Sequence, residues 1–169
     1  MIPEEKFNAD FGPIVSFYAF HVKKKSIPIS LNDIGMFGVN LEAKKHIKDI
    51  EQIDMNAIVP NAIYFSSSKR KHNVKNLMWY IRCSAHHPEN IEIVNINGVE
   101  YYKLWCGRKD NIKKTIASTM KGLVACDVWP DFIKSLTNKI ISNIVFSPMM
   151  TFYPKGLRHN LIHFCRFTL

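Results

Sequence analysis

Acidic residues are missing from the C-terminal part of this sequence, since no Asp or Glu follows Asp131. The whole chain has 23 Lys and Arg against 14 Asp and Glu, which gives a formal net charge of +9. A basic excess of this size in a small protein favours a polyanionic partner such as nucleic acid.

Long apolar runs are also missing. The longest uncharged run covers residues 140–154 and contains Asn143, Ser147 and two prolines. It is shorter than the roughly 20 apolar residues that a membrane-spanning helix needs. Residues 1–10 carry three acidic side chains and have neither the basic region nor the apolar region of a secretory signal. We therefore predict an intracellular protein with no membrane partner.

The four cysteines lack the paired spacing of metal sites and disulfide scaffolds. Cys83, Cys106, Cys126 and Cys165 lie 20 or more residues apart and form no Cys-x-x-Cys pair. Zinc ribbons and small disulfide-rich domains both depend on closely spaced cysteines. We interpret all four as reduced thiols of the core, and we predict no metal ion and no cofactor.

Enzyme motifs are equally sparse, because the chain has no glycine-rich phosphate loop and no paired Cys-His signature. His86 and His87 precede Glu89, but metal-dependent base deaminases also need a Pro-Cys-x-x-Cys motif that is absent here. His159 and His163 are four residues apart, as zinc ligands on one helical face are, without a glutamate between them. Ordinary histidines explain both groups better, so we predict no catalytic residue.

Apolar and aromatic residues are abundant, at 47% and 12%, with only seven glycines and eight prolines. This composition is typical of a packed domain, and 169 residues suffice for one hydrophobic core. We predict a single compact α+β domain over residues 1–169, with mostly antiparallel strands and hairpins and about three helices. Within it, residues 147–169 are a candidate basic and aromatic C-terminal extension.

Strands are predicted where aromatic and branched residues adjoin turn residues. The clearest case is the pair Asn97-Gly98, which separates two such runs and tolerates the positive φ angles of a type I′ hairpin turn. Another run, at residues 76–85, is apolar at nearly every position, so its period does not separate a buried strand from a buried helix, but its aromatic residues favour a strand. The other predicted strands are residues 14–22, 26–31 and 62–66.

Helices are predicted where apolar residues recur at three- and four-residue spacing. Residues 40–54 form the first predicted helix, with lysines on its outer side. Residues 111–126 form the second, with Lys121 off its apolar stripe. Pro130 suits the first turn of a helix, which predicts the third helix over residues 131–146.

Basic side chains gather in three clusters in the N-terminal half of the chain. A single cluster of this kind is usually only a solvated surface, but three clusters so close in sequence favour contacts to phosphates. The candidate nucleic-acid-binding residues are Lys23, Lys24 and Lys25 in a hairpin turn, Lys44, Lys45 and Lys48 on the first predicted helix, and Lys69, Arg70 and Lys71 in a surface loop.

Residues 27–51, IPISLNDIGMFGVNLEAKKHIKDIE, resemble the opening of the BRO N-terminal domain of large DNA viruses, which is related to KilA-N. Residues 101–136 are similar to the second block of that family, where a basic helix leads to a Val-Leu-Pro tripeptide and a further helix. The resemblance implies a virus-encoded DNA-binding domain without a cofactor, with the first predicted helix on the DNA surface. The matching residues are Asp33-Ile34, Gly38, His46-Ile47, Val128 and Pro130.

Charge and resemblance together predict a nucleic-acid-binding module, with DNA favoured over RNA. The alternative is an interaction protein that docks on an acidic viral or host protein through the same basic surface, and a second alternative is a metal-dependent enzyme of nucleic-acid metabolism. Exposed aromatic rings beside the basic clusters would favour a single strand, because bases stack on aromatic faces. The rings to inspect for such exposure are Tyr64, Trp79 and Tyr80.

Overall fold

The structure is a computed structural model that describes residues 2–22, 38–67, 73–110 and 115–146. Its α-helices are α1 (Glu4–Phe17), α2 (Ile47–Glu51), α3 (Asn73–Ala85) and α4 (Trp129–Phe146). Its strands are β1 (Asn40–Lys44), β2 (Ala62–Ser66), β3 (Ile91–Ile96), β4 (Val99–Asp110) and β5 (Thr115–Ala125). A π-helical turn, Tyr18–Val22, follows α1, and short 3-10 turns cover Met55–Ala57 and Pro88–Asn90.

The five strands form one sheet in the order β1-β2-β5-β4-β3. Strands β1 and β2 are parallel, and every other neighbouring pair is antiparallel. The prediction of a single compact α+β domain with a mostly antiparallel sheet is confirmed, with four α-helices in the described ranges where about three were predicted.

One face of the sheet packs against α1, α3 and α4, and we call it the helical face. Phe11 of α1, Tyr102 of β4 and Trp129 of α4 are fully buried at its centre. The ring of Phe11 lies 4.9 Å from that of Trp129 and 5.1 Å from that of Tyr102. Trp129 Nε1 donates a 2.9 Å hydrogen bond to the backbone oxygen of Asp10, and the Tyr102 hydroxyl donates to the Asp10 carboxylate. These bonds satisfy the polar groups that the aromatic side chains bring into the core.

The opposite face carries α2 and the residues that follow it, and we call it the α2 face. A small apolar cluster is formed there by Ile58, Ala62 and Leu123. Next to it, Lys121 is only 8% exposed, and its ammonium donates hydrogen bonds of 3.1 Å to Glu51 O and 2.7 Å to Ile53 O. A helix leaves its last carbonyls without internal partners, so Lys121 stabilises the C-terminal end of α2.

Two segments that we predicted as strands are helical. Residues 14–22 belong to α1 and the π-helical turn, and residues 76–85 belong to α3. In α3, Leu77, Met78 and Ile81 are fully buried at helical spacing, which a uniformly apolar run conceals. The other predicted strand, residues 26–31, lies outside the described residues together with the lysine turn before it.

Two segments that we predicted as helices contain strands instead. Residues 40–44 form β1, and helix α2 begins only at Ile47, where the Asp49 carboxylate accepts a 3.2 Å hydrogen bond from His46 N. The predicted helix over residues 111–126 is strand β5 from Thr115 onward. Strand β5 lies between β2 and β4 with both faces covered, so its apolar residues do not alternate as those of a half-exposed strand do.

Three local predictions are confirmed. Residues 62–66 form β2, and β3 and β4 form the hairpin around Asn97 and Gly98, which have φ angles of 53° and 85°. Helix α4 covers the third predicted helix and begins one residue before Pro130. The candidate C-terminal extension, residues 147–169, lies outside the described residues.

Candidate nucleic-acid interface

The parallel strands β1 and β2 end side by side, and the described candidate lysines lie at that end. Lys44 is the last residue of β1 and is paired with Ser66, the last residue of β2. The backbone continues the pairing, because Ser67 N donates a 2.7 Å hydrogen bond to Lys44 O. We call this part of the molecule the β1–β2 edge, defined by Lys44, Lys45, Ser66 and Ser67.

Lys44 is held against the protein surface. Its ammonium forms an ion pair with Glu42 and lies 6.0 Å from the centre of the Tyr64 ring. Glu42 and Tyr64 are direct partners in the β1–β2 register, so both side chains share the α2 face with Lys44. Glu42 therefore neutralises part of the positive charge at this position.

Lys45 and Lys48 are different, because both are exposed and the described part of the chain offers neither of them an ion-pair partner. The prediction that the three lysines lie on one helix is wrong. Lys44 belongs to a strand, Lys45 to the connection after it, and Lys48 to α2. The connection between β1 and α2 is short enough to keep all three in one region of the surface.

Helix α3 is tied to this edge by two side-chain hydrogen bonds. The hydroxyls of Tyr80 and Ser66 lie 3.0 Å apart, and Asn76 Nδ2 donates a 3.0 Å hydrogen bond to Ser67 Oγ. Trp79 lies between these two helical residues in sequence and is 41% exposed. Of Tyr64, Trp79 and Tyr80, the three rings that the sequence analysis singled out, Trp79 is the one with substantial exposure, because the other two are half-buried.

A cation accompanies the exposed ring. The guanidinium carbon of Arg82 lies 5.1 Å from the centre of the Trp79 ring, and the Tyr18 ring supports Trp79 at 5.5 Å. Sequence reasoning missed Arg82, because residues 76–85 were interpreted as a buried strand. On a helix, residues three apart are neighbours, so a helical interpretation of the same sequence would have paired Trp79 with Arg82.

A cavity of about 580 Å³ opens beside Trp79, between α3 and the strands β4 and β5. Asn76, Trp79 and Tyr80 form its helical wall, and Thr119 is among the strand residues opposite. The cavity therefore adjoins the two hydrogen bonds that join α3 to the β1–β2 edge.

The remaining basic candidates are not placed by the structure. Lys23, Lys24 and Lys25, and likewise Lys69, Arg70 and Lys71, lie outside the described residues. The second of these groups belongs to the segment that connects Ser67 with Asn73, and Ser67 itself is part of the β1–β2 edge.

The histidines do not form a metal site in the part of the chain that the structure describes, where no group of three or more His, Cys, Asp or Glu is arranged to hold an ion. His86 and His87 are exposed after the end of α3, and His87 Nδ1 lies 3.3 Å from the Glu89 carboxylate. Desolvation, together with the charges of Arg82 and His87, lowers the pKa of His86. His159 and His163 lie outside the described residues.

A larger cavity, of about 810 Å³, lies at the other edge of the sheet between α1 and the start of β3. Its walls include Glu4, Glu89 and Glu92 together with the apolar side chains of Ile2 and Phe7. Phosphate groups are repelled by carboxylates, so this cavity does not suit a nucleic-acid backbone.

No protein-family model, curated protein or solved structure matches this chain. The resemblance to the BRO N-terminal domain therefore stays a prediction, and β1 and β5 occupy positions where it implies helices. Among the described helices, none combines the length and the apolar character that crossing a membrane requires.

Proposed function

We propose that this protein binds single-stranded nucleic acid, with DNA favoured over RNA, at the β1–β2 edge and the adjoining surface of α3. The observation that carries the proposal is the exposed Trp79 ring with its Arg82 partner, on a helix that is hydrogen-bonded to this edge. Lys45, at this edge, and Lys48, on the helix that follows β1, supply exposed positive charge.

The two kinds of side chain have different roles in this proposal. Lysines contact phosphates and release counterions, so their contribution weakens as salt concentration rises. An aromatic ring stacks on an unpaired base, and this contribution is about 1 to 3 kcal/mol per base and insensitive to base identity. Bases within a duplex are already stacked, so the Trp79 ring supports a preference for single strands.

The distribution of charge over the molecule also favours the β1–β2 edge as the place where nucleic acid binds. The net charge is +9, whereas Glu4, Glu89 and Glu92 surround the cavity at the far edge of the sheet. A polyanion would therefore be attracted to the protein as a whole and repelled from that cavity. Lys69, Arg70 and Lys71 lie in the connection between β2 and α3, and we include them among the phosphate contacts.

The test is a fluorescence-anisotropy titration of the protein with labelled 20-nucleotide single-stranded DNA, the same RNA sequence and the DNA duplex, in about 50 to 200 mM salt. We expect tighter binding to the single strands and a steep loss of affinity with salt. Changing both Lys45 and Lys48 to Gln should reduce the slope of log affinity against log salt by about 1.4, because each phosphate contact to a single strand contributes about 0.7.

Trp79→Leu tests the stacking role separately. Affinity for single strands should fall by about 5- to 150-fold, which corresponds to a loss of about 1 to 3 kcal/mol, while the salt slope stays unchanged. Trp79→Phe keeps a ring and should restore part of the affinity. The matched control for the lysines changes Lys134 and Lys139, which are exposed on α4, to Gln. Equal losses in that control, or no binding in 50 mM salt, would overturn the proposal.

The alternative ligand is an acidic protein that binds the same basic surface. Pull-downs with the tagged protein from nuclease-treated and untreated lysates separate the two cases, because partners bridged by nucleic acid disappear after nuclease treatment. An acidic protein that survives the treatment and is lost with the Lys45 and Lys48 changes, in a protein that shows no DNA binding, would replace nucleic acid as the ligand.

A further inference from the structure

Two cysteines from different elements meet at the cavity of about 580 Å³ beside Trp79. Cys83 belongs to α3 and Cys106 to β4, and both line this cavity. Neither is in a disulfide; Cys83 is half-buried, whereas Cys106 is 4% exposed. Cys83 is therefore the more accessible of the two thiols to small molecules in this cavity.

The backbone around the two cysteines is held in place by a buried hydrogen bond. Ser84 follows Cys83 and is fully buried, and its hydroxyl donates a 2.7 Å hydrogen bond to the backbone oxygen of Trp105, which precedes Cys106. On the strand side, Thr119 Oγ1 donates a 3.1 Å hydrogen bond to Cys106 O. The backbone beside both cysteines is therefore held in place where α3 packs on β4.

The two thiols have unequal acidity. A hydrogen bond from the Cys106 thiol, with help from Arg82 against the opposing effect of burial, lowers the pKa of Cys83 to about 7. The same hydrogen bond, together with burial, raises the pKa of Cys106. At neutral pH about half of Cys83 is therefore thiolate, whereas Cys106 keeps its proton.

We propose that Cys83 and Cys106 form a redox-active pair, in which a hydroperoxide oxidises Cys83 and Cys106 then closes an intramolecular disulfide between α3 and β4. A thiolate is the nucleophilic form of cysteine, and exposed thiolates with a nearby second cysteine are the usual targets of such oxidation. This inference does not depend on nucleic-acid binding.

Hydrogen peroxide would oxidise the two thiols to a disulfide in two steps. The Cys83 thiolate attacks one peroxide oxygen, the O–O bond breaks, and the products are a sulfenic acid on Cys83 and hydroxide, which takes up a proton to become water. The Cys106 sulfur then attacks the Cys83 sulfur, an S–S bond forms, the S–O bond breaks, and the hydroxyl group leaves with the Cys106 proton as water. Two electrons pass from the thiols to the peroxide.

The sequence makes the product easy to identify, because trypsin places the four cysteines in four different peptides. Cys83 lies in residues 83–103, Cys106 in 104–108, Cys126 in 122–134 and Cys165 in 159–166. After exposure to peroxide and blocking of free thiols, mass spectrometry without reductant should show 83–103 joined to 104–108. Dithiothreitol should separate them.

Three variants assign the roles. Cys83→Ser and Cys106→Ser should both abolish the cross-link, and Cys106→Ser should leave a sulfenic acid on Cys83 that a dimedone probe labels. Cys126→Ser is the matched control and should keep the cross-link, because burial raises the pKa of Cys126. Recovery of 83–103 and 104–108 as blocked thiols, or a cross-link from Cys83 to Cys126 or Cys165, would overturn the proposal.

A measurement on the unchanged protein covers the case in which Cys106→Ser does not fold. The rate of iodoacetamide labelling at Cys83 should rise with pH and reach half its maximum near pH 7, in line with a pKa of about 7. At pH 7 its thiolate fraction would be about 15 times that of an ordinary thiol, which the lower nucleophilicity of a weaker base reduces to about a threefold rate advantage. Labelling of Cys83 and Cys126 at equal rates with the same pH midpoint would contradict a reactive Cys83.

Discussion

The two faces of the sheet are stabilised in different ways. The helical face is closed by three helices over a cluster of buried aromatic rings, with Phe11 and Trp129 at its centre. The α2 face is covered by one short helix and a small apolar cluster, and it depends on the buried ammonium of Lys121. The described candidate lysines lie on or beside the α2 face. The proposed lysine contacts therefore lie apart from the buried aromatic cluster, whereas Trp79 and Arg82 belong to α3, a helix of the helical face.

The aromatic cluster of the helical face joins distant parts of the chain. Asp10 of α1 accepts hydrogen bonds from Tyr102 and Trp129, and it forms a 3.5 Å ion pair with Lys6. Burial, reinforced by the hydrogen bond to Asp10, raises the pKa of Tyr102, so its hydroxyl stays a donor. One acidic residue thereby connects α1 to a strand and to α4.

The largest expected effect comes from removing the central ring of this cluster. Trp129→Ala should lower the free energy of unfolding by about 3 to 5 kcal/mol, because it removes a fully buried side chain and leaves a cavity. Trp105→Ala is the matched control, since Trp105 also donates through Nε1, at 2.8 Å to Ser118, but is only half-buried. Its expected cost is about 1 to 2 kcal/mol, in keeping with a typical substitution outside the core.

Urea unfolding followed by circular dichroism measures both variants. Trp105 is the register partner of Lys121 and so lies on the α2 face. If Trp105→Ala were as costly as Trp129→Ala, the α2 face would contribute as much packing as the helical face, and the contrast between them would disappear.

Local turn chemistry could be predicted from the sequence, whereas the type of the buried segments could not. Asn97 and Gly98 specify their hairpin by themselves, because the turn needs positive φ angles at two successive residues. Helix α3 carries aromatic residues beside its buried stripe, and β5 lies between two other strands, so distant elements decide the type of each segment. Periodicity carries no information about that tertiary choice.

The candidate site, too, could be predicted only in part from the sequence. Lys44, Lys45 and Lys48 were predicted to face outward from the first predicted helix; Lys45 and Lys48 are exposed, although that helix is wrong, and Lys44 is half-buried. The Trp79–Arg82 contact was not predicted, because it requires residues 76–85 to be a helix. The position of Cys83 and Cys106 at one cavity was not predicted either, because it also requires that helix to pack on β4. An error in one segment therefore concealed most of the aromatic and thiol chemistry.

Lys121 provides the second test of the comparison. Lys121→Met keeps the length of the side chain but removes the donor to Glu51 O and Ile53 O, and we expect a loss of about 1 to 3 kcal/mol in unfolding free energy. Lys48→Met, the same change at an exposed lysine of α2, should stay within about 0.5 kcal/mol. Amide hydrogen exchange in α2 should accelerate only in Lys121→Met.

The two lysine variants also separate stability from binding. Lys48→Met removes a proposed phosphate contact without a structural role, so it should weaken DNA binding in a protein of unchanged stability. Unchanged stability in Lys121→Met would show that α2 keeps its position without the ammonium.

The smallest of the three main effects is expected at Gly122, the neighbour of Lys121 on the opposite side of β5. A Cβ atom on Gly122 would lie 3.0 Å from Ile63 Cγ1 and 3.3 Å from Ala62 O, so Gly122→Ala should cost about 1 to 2 kcal/mol through overpacking of the helical face. Ile63→Ala alone removes a fully buried side chain and should cost more, about 2 to 5 kcal/mol. In the double variant the added methyl group enters the space that Ile63 vacates, so the combined loss should be smaller than the sum by about 0.5 to 1 kcal/mol.

Urea unfolding curves of the parent protein, the two single variants and the double variant measure this coupling. Additive losses would mean that the contact with Ala62 O, which Ile63→Ala leaves in place, sets the cost, and that the backbone of β2 rather than the helical face limits packing at Gly122.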